Sequence, residues 1–163
     1  MIGETPGKKN IMSNKAYNAI VKYVGDDFFI GMPPSGHAQV MDANADRNAA
    51  PTPLENLLVA VAGCTAFDVI SILQKKRLDV TNYEVEITGT RKDDRPQAFI
   101  KFHIKHIVHG RNVPEKAVSD AIKLSDTTYC SVAATVRPTA EITTSYEIID
   151  VPVAHKLQKS AQK

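Results

Sequence analysis

The amino-acid sequence predicts an α+β protein, with antiparallel sheets around a long buried helix, in the order βββ, long helix, ββ, helix, short helix, β. Three observations lead there. Residues 79–109 alternate apolar and polar side chains at the strand period on both sides of a charged turn. The run Leu57 to Phe67 is apolar or small all the way round and follows a helix-start signature. Three short strand-like segments, separated by turn residues, come before that run.

Tyr17–Val24 mixes Tyr, Ile and Val with polar residues and reads as the first strand. Gly25-Asp26-Asp27 then forms a hairpin turn into Phe28–Met32. Pro33-Pro34-Ser35-Gly36 is a second turn, leading to a strand at His37–Asp42. Residues 43–50 carry no periodicity and read as a loop. Thr52-Pro53-Leu54-Glu55 has the form of a capping box with proline at the first helical position, so a helix runs from there to Lys75 or Lys76. In the first half of the next hairpin Tyr83, Val85 and Ile87 face opposite to Glu84, Glu86 and Thr88. In the second half Ile100, Phe102, Ile104 and Val108 form the inner face against Lys101, His103, Lys105 and His109. Val113-Pro114-Glu115 opens an amphipathic helix carrying Ala117, Val118, Ala121, Ile122 and Leu124. Thr127–Val132 starts a short helix that stops before Pro138, and Glu141–Ile149 alternates as a last strand.

The chain has 163 residues, 43% hydrophobic and 23% charged, an ordinary mix for one globular domain. Its formal charge of +2 gives no reason to expect nucleic acid or an anionic membrane as partner. Residues 1–14 read as a flexible tail, 15–150 as a single domain and 151–163 as a basic C-terminal tail. The start lacks a signal-peptide run, and the longest apolar stretch is shorter than a membrane span, so a cytoplasmic location is expected. The long helix has no polar stripe and needs more cover than one such chain supplies, while the opening strands carry few apolar residues of their own. A homodimer is therefore expected.

His103, His106 and His109 invite a metal reading. At ~3.3 Å per residue, however, the outer two lie about 20 Å apart and the middle one points to the other face. A solvated strand face is the simpler account. His37 and His155 are isolated. No nucleophile elbow, phosphate-binding loop, dinucleotide fingerprint or zincin helix occurs. Cys64 and Cys130 remain, too few for a stapled scaffold and not spaced for a zinc ribbon. Cys64 sits mid-helix, where burial raises a thiol pKa and where a cysteine also serves as a small core residue. Cys130 falls in the first turn of a short helix, where amide N–H groups stabilise a thiolate. Their separation along the chain does not decide whether the sulfurs meet.

Pro53-Leu54-Glu55-Asn56-Leu57-Leu58-Val59-Ala60-Val61-Ala62-Gly63-Cys64 resembles the central-helix motif of the OsmC/Ohr family of peroxide-detoxifying proteins. Thr128-Tyr129-Cys130-Ser131-Val132 resembles the family's second cysteine motif, and Gly63–Leu73 is most similar to its YhfA-like branch. The resemblance covers residues 15–150 in element order. It implies an OsmC-like fold in an intertwined homodimer, and a thiol-dependent peroxidase acting on organic hydroperoxides or hydrogen peroxide. Cys64 would be the peroxidatic thiolate and form a sulfenic acid. Cys130 would resolve it as a disulfide, which an external dithiol reduces, with no bound cofactor or metal.

The Ohr branch pairs such a site with an arginine from the opening strands and a glutamate at the helix start. Residues 1–46 hold no arginine, so Arg47 is the candidate from that region, with an arginine of the partner chain, such as Arg137, as the other source of charge. The Ohr glutamate position is Leu54, and Glu55 follows one residue later, as in the OsmC and YhfA-like branches. Nine residues of helix give ~13.5 Å of rise and half a turn of phase, so Glu55 can act on Cys64 only across a dimer. Surface and capping roles account for Arg47 and Glu55 equally well. The alternative function is a non-enzymatic dimer of the same fold, binding a small apolar ligand or sensing redox state.

Overall fold

The computed structural model describes residues 16–44 and 46–152, so the expected tail at 1–14, and that at 151–163 beyond its first two residues, lie outside the described residues. The chain divides into two compact units, one ending at Thr52 and the other beginning at Pro53.

The first unit is an antiparallel meander of β1 (Ile20–Gly25), β2 (Phe28–Met32) and β3 (Gln39–Asp42), as the turn residues predict. The β1–β2 loop is Asp26-Asp27, both at positive φ (48° and 60°), the geometry that matches the twist of a two-residue hairpin. Aspartate tolerates that region better than most residues. The meander is thin, and Ile20, Val21, Tyr23 and Val24 of β1 are all exposed.

The second unit begins with α1 (Pro53–Lys75), which starts at the expected proline with Glu55 in its first turn. It continues through β4 (Asp79–Arg91), β5 (Phe99–Arg111), α2 (Glu115–Leu124), a π-helical turn at Ser125–Tyr129, α3 (Ser131–Val136) and β6 (Glu141–Asp150). The sheet order is β4-β5-β6. The β4–β5 pair is the expected antiparallel hairpin, but β5–β6 is parallel, so the sheets are not antiparallel throughout. The reason is topological: strands joined through α2 and α3 can return in the same direction, which a tight turn forbids.

Val69 and Leu73 of α1 pack with Val108, Val113, Val118, Ala121 and Ile122 into the core. A second cluster joins Phe99, Phe102 and Ala140 with Leu54, Leu57 and Leu58 packed on it. Ile100, expected inside, is exposed, and Phe99 is buried instead. Thr90 pairs with Lys101 and Arg91 with Phe99, so Ile100 is the extra residue of a bulge and the alternation shifts by one. Leu124 is also more exposed than its helical spacing suggests.

Two expectations about α1 need correction. The helix is not buried on every side, since Val59 and Phe67 are 68% and 72% exposed in this chain. It is also, by length and composition alone, apolar enough to cross a membrane, with a mean hydropathy of 1.9. Counting only to Phe67 underestimated it, because Val69–Leu73 resume the apolar run beyond Asp68. A helix whose buried side forms a protein core meets the same criterion.

The histidines also separate. His103 is exposed and hydrogen-bonds Thr143 Oγ1 and Ser145 Oγ. His106 is fully buried, on the face opposite His103 as its place in the strand predicts and in phase with the inward side chains. Its Nδ1 lies 2.7 Å from the Tyr83 hydroxyl, its ring stacks on that tyrosine, and Nε2 has no partner among the described residues. Burial pulls its pKa down to about 4, so the ring is neutral at pH 7.

Candidate functional site

Cys64, in the middle of α1, is half-buried, and Cys130, between the π-helical turn and α3, is 4% exposed. Neither is in a disulfide. The tertiary fold nevertheless joins them: the two sulfurs and a carboxylate oxygen of Asp68 all lie within 4.8 Å of one another. Asp68 follows Cys64 by four residues of helix, so both stand on one face, one turn apart.

Ser125 organises this cluster. Its Oγ is 3.0 Å from Asp68 Oδ2 and 3.1 Å from Thr65 Oγ1, and its one proton serves the carboxylate. Its carbonyl accepts the Cys130 N–H at 2.9 Å, closing the π-helical turn. One fully buried serine thus ties the second cysteine's loop to the helix carrying the first. Such turns are frequent at functional sites. On the far side of the loop Arg137 donates to Asp126 Oδ1 at 2.5 Å, bracing the segment around Cys130.

The electrostatics of Cys130 differ from the local sequence reading. The Ala133 N–H does donate to its Sγ at 3.3 Å, as expected of a helix start. Burial outweighs that contact, with the neighbouring Cys64 and Asp68 acting in the same direction, and the Cys130 thiol is pushed up to about 11. The buried, protonated thiol is therefore Cys130, and the more open one is Cys64. Local sequence placed the stabilised thiolate at Cys130; burial there gives the opposite direction. A small cavity of about 120 Å³ opens at Cys130, lined by Asp126, Thr127, Thr128, Tyr129, Ser131 and Ala134.

The other two expected residues have surroundings of their own. Glu55 is exposed on the first turn of α1, the helix that carries Cys64, and the helical rise between them keeps it from that sulfur. Arg47 lies in the first unit. Its Nε and Nη2 donate to Asp42 at 2.9 and 2.8 Å, its Nη1 donates to Asp26 at 2.7 Å, and its guanidinium stacks 4.0 Å over the Phe28 ring. The hydrogen bond to Asp42 raises the Arg47 pKa, and Arg47 in turn holds the Asp42 carboxyl well below the usual carboxylate range.

Asp68, Ser125 and Thr65 were not recognised from sequence. Asp68 did leave a signal: it is the one charged residue of α1 between Glu55 and Lys75, one turn from a cysteine. Ser125 left none, because its role depends on a chain reversal that no spacing reveals.

Comparison with known proteins places the chain in a family and a fold. A family model described as "OsmC-like protein" matches residues 45–145. Protein YhfA of Escherichia coli K12 is 43% identical over 131 residues, covering 80% of this chain and 97% of its own length. The crystal structure of a hypothetical protein from Aquifex aeolicus superposes with a TM-score of 0.75 at 28% identity, covering 85% of this chain and 99% of that one. An organic hydroperoxide resistance protein OsmC from Legionella pneumophila shares the fold alone, with 10% identity, a TM-score of 0.59 and coverage of 83% and 98%.

Proposed function

We propose that this chain, which belongs to the OsmC-like protein family, is a thiol-dependent peroxidase that reduces organic hydroperoxides or hydrogen peroxide. The observation that carries the reading is the meeting of Cys64, Cys130 and Asp68 within 4.8 Å, from positions far apart in sequence. A sulfenic acid stays on the reversible part of the oxidation ladder only when a second thiol is at hand to capture it. The family also includes proteins named for organic hydroperoxide resistance.

In this reading Cys64 attacks, because it is the more exposed thiol and Cys130 is held protonated. The Cys64 sulfur takes the distal peroxide oxygen, the O–O bond breaks, and the thiol proton ends on the departing alkoxide. Asp68 is the adjacent acceptor through which that proton passes. The Cys130 sulfur then displaces the hydroxyl of the sulfenic acid, its own proton leaving in the water formed. An external dithiol returns two electrons and two protons to the disulfide, and we place the cycle in the cytoplasm, where dithiols are kept reduced.

The proposal includes a homodimer. The exposed apolar side of α1, with Val59, Ala60, Gly63 and Phe67, is the surface a second copy covers, and only across it can Glu55 approach a Cys64. Sedimentation equilibrium gives a dimer on this reading; a monomer at micromolar concentration removes it.

The peroxidase reading is tested by counting thiols and measuring intact mass before and after one equivalent of cumene hydroperoxide. Rapid loss of both thiols with a mass change of about −2 Da is the expected result. Persistence of both thiols for many minutes rejects it. A binding function would then lead, favoured by an apolar cavity of about 160 Å³ lined by Leu54, Leu57, Phe99, Phe102, Val136 and Ala140.

A further inference from the structure

We propose that the reduced side chains of Cys64, Cys130 and Asp68 form a reversible binding site for one thiophilic divalent cation of the Zn²⁺ class. The inference stands on the geometry of the cluster and does not depend on peroxidase activity.

Two thiolates and one carboxylate are a donor set that Zn²⁺ accepts, whereas Mg²⁺ and Ca²⁺ prefer oxygen alone. Zinc–sulfur bonds of about 2.3 Å and zinc–oxygen bonds of about 2.0–2.2 Å at tetrahedral angles set donor atoms about 3.5–3.8 Å apart. The three donors here already lie within 4.8 Å of one another. Closing that gap takes side-chain torsions, without a new path for the backbone.

Outer contacts suited to such a site are present as well. Ser125 Oγ holds Asp68 Oδ2, which fixes the orientation of the carboxylate at the cluster. The Ala133 N–H is directed at the Cys130 sulfur, a contact that suits a metal-bound thiolate. Cys64 is half-buried and gives a way in, while Cys130 closes the inner end. The fourth position is left to water.

Charge explains why the ion is favoured in so enclosed a place. A divalent cation held by two thiolates replaces the two thiol protons beside Asp68. Dithiolate, carboxylate and ion together carry one negative charge instead of three. Binding therefore releases protons and strengthens as pH rises through neutrality. It also occupies both sulfur atoms, so the ion and a peroxide compete for the same reduced chain.

The test uses the reduced full-length chain under anaerobic conditions. Cd²⁺ serves as the ultraviolet reporter of thiolate ligation, and Zn²⁺ is titrated against a chromophoric chelator. The expected result is a thiolate-to-cadmium band that saturates at one ion per chain and is displaced by Zn²⁺. Cys64→Ser and Cys130→Ser should each remove about half of that band. Asp68→Asn keeps both thiols, so it should retain the band while lowering affinity by at least about tenfold. Absence of the band in the wild-type chain, a different stoichiometry, or unchanged affinity in Asp68→Asn overturns the site. A chain that binds Cd²⁺ but ignores peroxide would reject only the peroxidase reading; one that consumes peroxide but binds no Cd²⁺ would reject only this inference.

Discussion

Each unit of the chain concentrates polar groups in one place, and the two clusters are built on opposite rules. In the first unit Arg47 meets Asp42 and Asp26, so opposite charges satisfy one another and the guanidinium rests on Phe28. In the second unit Cys64, Cys130 and Asp68 meet beside the neutral hydroxyls of Ser125 and Thr65. A cluster that neutralises itself holds a turn in place. A cluster of nucleophiles beside a carboxylate keeps its reactivity for an incoming electrophile. On the proposed function the first cluster is structural and the second carries the chemistry.

The largest effects should come from the thiols. Cys64→Ser should abolish peroxide turnover, while Cys130→Ser should allow one turnover and then accumulate over-oxidised Cys64, read by intact mass. Oxidation of Cys130 first, with Cys64 untouched, would reverse the two roles.

Acid should separate the units next. His106 is held neutral with a pKa of about 4, whereas the unfolded chain takes up its proton near pH 6.5. The unfolded state binds more protons in that window, so stability is full above pH 6.5 and falls by up to about 3 kcal/mol as pH drops toward 4. Urea melts across that range should show the slope in the second unit and a flatter profile in His106→Gln. Equal slopes would reject burial as the cause. The Arg47–Asp42 pair should outlast this change, since Asp42 stays ionised below the usual carboxylate range.

A smaller change is expected from Ser125→Ala, which leaves Asp68 and Thr65 short of a buried partner and should cost about 1–3 kcal/mol. Disulfide closure after peroxide should slow as well. Stability lost with closure unchanged would mean that the serine does not position Cys130. The mildest variant is Arg47→Ala: amide exchange should quicken across β1–β3 while thiol oxidation keeps its rate. A collapse of thiol oxidation would instead make Arg47 the cation of the site.

Much of the fold was legible because periodicity records burial locally. Tyr83, Val85 and Ile87 alternate with Glu84 and Glu86, and the structure half-buries the first set while the glutamates stay exposed. Pro53 marked the start of α1 because its fixed φ suits a first helical position. The failures occurred where a neighbour intervened. The bulge at Ile100 moved one residue out of phase, and the crossover through α2 and α3 turned the last strand parallel.

By itself the sequence determined the elements, the long apolar helix and the two cysteine motifs, since each is set by residues within a few turns of one another. Only the tertiary structure decided that the two sulfurs meet, that Asp68 and Ser125 stand with them, and that Cys130 is the buried thiol while Cys64 is half-buried. Those facts rest on a long-range return of the chain, and the pKa of a thiol follows what surrounds it in space more than what precedes it in sequence.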